Sequence, residues 1–133
     1  MRILLVDDDF TSRKLLLKIL FPLGECDLAC NGKEAWEAYQ SAITENAPYQ
    51  LILLDIMMPE MDGNECLRLI RLYEKENNLF LKKAVKIAMA TSLTDKGTII
   101  DSFREQCDGY IMKPYTRESV LSQLKKFDIF VTA

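Results

Sequence analysis

Two runs of four apolar residues, Ile3-Leu4-Leu5-Val6 and Leu51-Ile52-Leu53-Leu54, contain no polar alternation, and each ends in aspartate. Runs of that kind suit strands buried on both faces, as in a parallel sheet covered by helices. The first gives way to Asp7, Asp8 and Asp9, the second to Asp55 and a turn sequence carrying Pro59 and Asp62-Gly63. Between them, Leu16, Ile19, Leu20 and Leu23 follow helical spacing, with Asp9 or Thr11 available to cap the start and Pro22 and Gly24 marking the end. The weakly alternating Glu25 to Cys30 predicts an edge strand, and Ala35, Ala38, Tyr39, Ala42 and Ile43 predict a second amphipathic helix. Past Gly63, the spacing of Cys66, Leu69, Ile70 and Tyr73 predicts a third helix, released by the polar Lys75 to Asn78. Val85 to Ala90 reads as a strand ending in Thr91-Ser92. Ile99, Ile100, Phe103 and Cys107 read as a helix stopped before Asp108-Gly109. Tyr110 to Met112 reads as a short strand ending in Lys113-Pro114, and Val120, Leu121, Leu124 and Phe127 as a last helix.

Strand and helix thus alternate five times, with connections too long for hairpins and suited to right-handed parallel crossovers. The fold class expected is α/β, a five-stranded parallel sheet with helices on both faces. At 133 residues the chain fits one domain, 1–133, without staples. The net charge of −3, from 17 basic and 20 acidic residues scattered along the chain, offers no basic stripe. That argues against direct nucleic acid binding and against a polybasic membrane contact. MRILLVDDD lacks the features of a signal peptide, and no apolar run approaches spanning length, so a cytoplasmic protein is expected. Four cysteines without CxxC pairing, and no histidine, exclude the usual zinc constellations and suggest buried thiols.

In a parallel sheet, ligands bind at the carboxyl ends of the strands. Asp7, Asp8, Asp55, Thr91 and Lys113 would then meet at one edge, an inventory suited to phosphoryl transfer. Clustered carboxylates resist ionising together unless a cation neutralises them, and hard oxygen ligands with open water positions suit Mg²⁺. Asp55 can serve as the nucleophile that forms an acyl phosphate, with Lys113 and Thr91 holding the other phosphoryl oxygens. Each residue also has an ordinary reading: a solvated turn and helix cap for Asp7 to Asp9, a turn cap for Asp55, a helix cap for Thr91-Ser92, a surface cation for Lys113, and sheet packing for Tyr110. Taken together, four strands ending in the groups that one reaction needs favour the chemical reading.

With Asp7-Asp8, DIMMPEMDG around Asp55, Thr91 followed by a small residue, and Lys113-Pro114, the chain resembles the receiver domain of two-component response regulators over essentially its whole length. The resemblance implies the strand order 2-1-3-4-5. It implies that Asp55 accepts a phosphoryl group from a sensor histidine kinase or histidine phosphotransfer protein. It also implies that Asp8, Asp55 and the Met57 carbonyl bind Mg²⁺ while Asp7 supports the ion through water. Thr91 and Lys113 would bind phosphoryl oxygens, Tyr110 would be a switch toward a downstream protein partner, and Lys113-Pro114 would be cis. Such a domain is not an enzyme acting on other substrates and catalyses only its own phosphorylation and dephosphorylation.

The alternative from another class is a haloacid-dehalogenase-like small-molecule phosphatase, which wants a second aspartate where Met57 stands. Two departures from the usual receiver pattern stand out. Asn77 to Lys83 makes a long connection carrying Leu79, Phe80 and Leu81, read either as a partner site or as a longer helix with these residues packed beneath. No output domain follows the last helix, which leaves signalling by contact or a chain cut from a larger regulator. Met57 and Leu93, two positions beyond Asp55 and Thr91, are apolar and cannot orient a hydrolytic water, so a long-lived acyl phosphate is expected.

Overall fold

The computed structural model describes residues 1–79, 84–92 and 107–127. Five strands form one sheet: β1 (Arg2–Val6), β2 (Glu25–Ala29), β3 (Leu51–Asp55), β4 (Lys86–Thr91) and β5 (Gly109–Met112). All pairings are parallel, and the order is β2-β1-β3-β4-β5, which puts β2 at an edge as its weak alternation predicts. The described helices are α1 (Phe10–Leu20), α2 (Gly32–Thr44), α3 (Gly63–Glu76) and α4 (Arg117–Lys126). Ile99, Ile100 and Phe103, where a further helix is predicted, lie outside the described residues, as do Phe80 to Lys83 and Leu93. None of the described helices is long and apolar enough to cross a membrane.

Alternate residues of each strand feed opposite cores, because successive side chains point to opposite faces. Leu4, Val6, Ile52, Leu54, Ile87 and Met89 pack under α2 and α3, against Ala35, Tyr39, Ala42, Cys66 and Ile70. Ile3, Leu5, Leu51, Leu53, Ala88 and Ala90 pack under α1 and α4, against Leu16, Leu20, Val120 and Leu124. The central strand β3 is therefore buried along its whole length, which is why its sequence carries no polar alternation.

Local chemistry sets the helix ends. Asp9, of the two candidates, caps α1 by accepting from the Ser12 N–H, and Asn31, Asp62 and Thr116 cap α2, α3 and α4 in the same way. Helix α1 stops at Leu20, and Phe21–Leu23 turns as a 3₁₀ segment around Pro22, so Leu23 lies outside the α-helix its spacing suggested. Helix α3 stops at Glu76 and gains no extra turn. Asn78 adopts φ 57°, and the Leu79 N–H returns to the Glu74 carbonyl at 2.8 Å, closing a Schellman cap. The cysteines correct a second expectation: Cys66 is buried, Cys26 and Cys107 are half-buried, and Cys30 is exposed at the end of edge strand β2.

Candidate functional site at the carboxyl ends of the strands

The parallel register carries the ends of β1, β3, β4 and β5 to one edge. Asp55 closes β3 opposite Ala90 of β4, and Thr91 follows opposite Met112 of β5. The Lys113 N–H then donates to the Thr91 carbonyl at 2.7 Å, which sets the lysine beside the threonine. The Lys113-Pro114 peptide is cis. From the other side α3 presses close: a Cβ built on Gly63 would lie 2.2 Å from the Asp55 carbonyl oxygen, so no larger residue fits there.

Asp7 and Asp55 are buried and Asp8 is exposed. One oxygen from each of the three carboxylates falls within 4.8 Å of the others. Lys113 Nζ lies 2.8 Å from Asp55 Oδ2 and 3.4 Å from Asp7 Oδ2. Burial pushes the Asp55 carboxyl up to about 7, the charges of Asp7 and Asp8 push the same way, and the Lys113 ammonium opposes them. For Lys113 itself, burial would lower the ammonium, but the contact with Asp55 and the charge of Asp7 outweigh it and hold it above its ordinary value. The cluster thus carries more negative charge than one ammonium neutralises.

That donor set fits a small hard cation. Three carboxylates converge, the exposed Asp8 leaves one side open for water ligands, and Asp55 Oδ2 faces Lys113 as an ion pair without a well-directed hydrogen bond. Of the remaining predicted residues, Thr91 is buried at the same edge, its hydroxyl donating to the Ser92 carbonyl at 3.2 Å. Met57 sits in the loop two residues past Asp55 with its side chain 56% exposed at the rim. Tyr110 is not brought to the carboxylates. It lies opposite Met89, three residues before Lys113, half-buried against the core under α2 and α3.

One member of the site went unread in the sequence. The Tyr115 hydroxyl donates to Asp7 Oδ2 at 2.8 Å, across 108 positions of chain, while the Asp9 N–H donates to Asp7 Oδ1 at 2.9 Å. Burial, followed by the charge of Asp7, pushes the Tyr115 phenol well above its ordinary value, so it remains a donor. Its signal in the sequence was a hydroxyl-bearing aromatic two residues after the strand-end lysine. Arg13 was also missed: its Nη1 donates to the Asp7 carbonyl at 2.7 Å and ties α1 to the end of β1.

Comparison with known proteins agrees with this geometry. A family profile described as response regulator receiver domain matches residues 3–125. A chemotaxis protein CheY homolog of Campylobacter jejuni is 30% identical over 127 residues, covering 94% of this chain and 90% of that protein. The structure of Vibrio cholerae chemotaxis protein CheY4 superposes with a TM-score of 0.77 at 26% identity, over 94% of this chain and 96% of that one. A CheX-CheY-BeF3-Mg²⁺ complex of Borrelia burgdorferi contains a chain similar to this one at a TM-score of 0.75 and 27% identity, over 99% of this chain and 90% of that one.

Proposed function

The chain belongs to the response regulator receiver family, the phosphorylation-dependent switches of two-component signalling, and we propose that Asp55 is its phosphoacceptor. The family match removes the haloacid-dehalogenase-like alternative. Met57, at the position where that chemistry needs a general acid, carries no proton to give. One observation supports Asp55 above the other carboxylates: it ends the strand buried along its whole length and holds the closer contact with Lys113, at 2.8 Å.

In this reading a carboxylate oxygen of Asp55 attacks the phosphorus of a phosphohistidine on a sensor histidine kinase or phosphotransfer protein. The P–O bond forms as the P–N bond breaks, and the imidazole leaves with the bonding electron pair. Lys113 and Thr91 take two of the phosphoryl oxygens. Asp8, Asp55 and the Met57 carbonyl would hold Mg²⁺ with support from Asp7, and the ion would supply charge compensation for the phosphoryl group. The Borrelia complex, which contains a similar chain together with BeF3 and Mg²⁺, supports Mg²⁺ as the ion. The chemistry stops at the domain's own phosphorylation and dephosphorylation. A single receiver domain over 1–133, working in the cytoplasm, would pass the signal to a downstream protein by way of Thr91 and Tyr110, without touching nucleic acid itself.

Incubation with acetyl phosphate and Mg²⁺ is expected to add one phosphoryl mass, and the Asp55→Asn protein is expected not to gain it. Equal labelling of the variant would place the acceptor elsewhere.

A further inference from the structure

Asp7 is fully buried, so each of its oxygens needs a partner to offset the loss of water. Oδ1 receives the Asp9 N–H at 2.9 Å, and Oδ2 receives the Tyr115 hydroxyl at 2.8 Å. Lys113 Nζ is the third group at hand, and it is shared unequally: 3.4 Å from Asp7 Oδ2 but 2.8 Å from Asp55 Oδ2. Charge-assisted N–H···O contacts settle at about 2.7–2.9 Å, so the ammonium is engaged with Asp55 and only near Asp7.

We propose that Tyr115 is a positioning residue for phosphoryl transfer: by satisfying Asp7 Oδ2, its hydroxyl keeps the Lys113 ammonium on Asp55. This rests on the reading of Asp55 as phosphoacceptor. Take the hydroxyl away, and a buried carboxylate oxygen loses its donor with a mobile ammonium 3.4 Å off. The ammonium is then drawn from Asp55 Oδ2, where its contact is an ion pair without a directed hydrogen bond, toward the Asp7 Oδ2 that has lost its hydroxyl donor. It then no longer sits where an oxygen of a phosphoryl group on Asp55 would meet it. A neutral phenol suits this task better than a cation, since it holds Asp7 without cancelling the negative charge that a metal ion requires.

The Tyr115 ring is buried in the core under α1 and α4, one residue before the α4 cap Thr116, and this packing limits how far the hydroxyl can shift. Arg13 does not duplicate the role, because it binds the Asp7 backbone carbonyl and not the carboxylate.

The test is Tyr115→Phe, which removes one oxygen and retains the buried ring. In the metal-free protein, the ¹⁵N-detected ammonium signal of Lys113, assigned by its response to Asp55→Asn, is expected to shift in Tyr115→Phe. With saturating Mg²⁺, the maximal rate of phosphorylation by acetyl phosphate is expected to fall about tenfold, the usual scale for losing a partner that orients a ligand. The acetyl phosphate concentration at half-maximal rate should stay the same, a split that general loosening of the fold would not give. An unmoved ammonium signal overturns the proposal, and so does a moved signal with an unchanged rate. Failure of the parent to accept a phosphoryl group counts against the phosphoacceptor reading. The ammonium signal still decides whether Tyr115 holds Lys113 on Asp55.

Discussion

Asp55 is an unusual acid before any phosphoryl group arrives. Burial, reinforced by Asp7 and Asp8 and opposed by Lys113, raises it from an ordinary 3.8 to about 7. A carboxyl whose folded value is raised contributes stability that is complete below about pH 4 and is lost as the pH rises through about 7, because the folded chain then holds a proton the unfolded chain has released. Ionised Asp55 thus destabilises the metal-free fold at pH 8 relative to pH 4. Asp55→Asn is therefore expected to raise the melting temperature in EDTA at pH 8 and to change it little at pH 4. Mg²⁺ should stabilise the parent at pH 8 and the variant far less. Thermal melts with and without the ion check both, and an equal gain from Asp55→Asn at the two pH values would contradict the cause given. The candidate acids were legible because each ends an apolar run in the sequence. Tyr115 was not, because nothing local to a residue following Lys-Pro says that its hydroxyl returns to Asp7.

Among the elements, the hydrophobic spacing identified every described strand and helix, and errors fell at ends and on one face. The missed feature is Glu74. It occupies the buried stripe of α3 with Cys66, Leu67 and Ile70, although a run of polar residues follows it directly and hides it. At 1% exposure, its Oε1 receives Arg71 Nη1 at 2.7 Å and its Oε2 receives the Val85 N–H at 2.7 Å. Arg71 extends the network to the Val85 carbonyl and to Asp108, so one carboxylate ties α3 to the approaches of β4 and β5. Period alone cannot distinguish a buried, fully partnered acid from the polar end of a helix. Glu74→Ala removes the acceptor of the buried Val85 N–H and one carboxylate of the Arg71 network, and is expected to cost about 3 kcal/mol in urea unfolding. A loss under about 1 kcal/mol would show that water takes over the site.

For the whole molecule, the alternation of strands and helices implied a parallel sheet, but the order of its strands does not follow from hydrophobic pattern. It came from resemblance, and the observed β2-β1-β3-β4-β5 agrees. The order matters to function because it seats β3 between β1 and β4, so that Asp55, opposite Ala90 and one residue past the pair of Val6 and Leu54, has Asp7 at the end of one neighbouring strand and Thr91 at the end of the other. Carboxylates spaced 48 positions apart in sequence thereby compete as acceptors within one cluster. The most direct test of the account is to find which of them carries the phosphoryl group. Borohydride reduces an acyl phosphate at aspartate to homoserine, so treatment of the Mg²⁺ and acetyl phosphate product, followed by peptide mass spectrometry, marks the acceptor in the unmutated chain. Homoserine at position 55, absent without Mg²⁺, is the predicted result; homoserine at position 7 or 8 would contradict it.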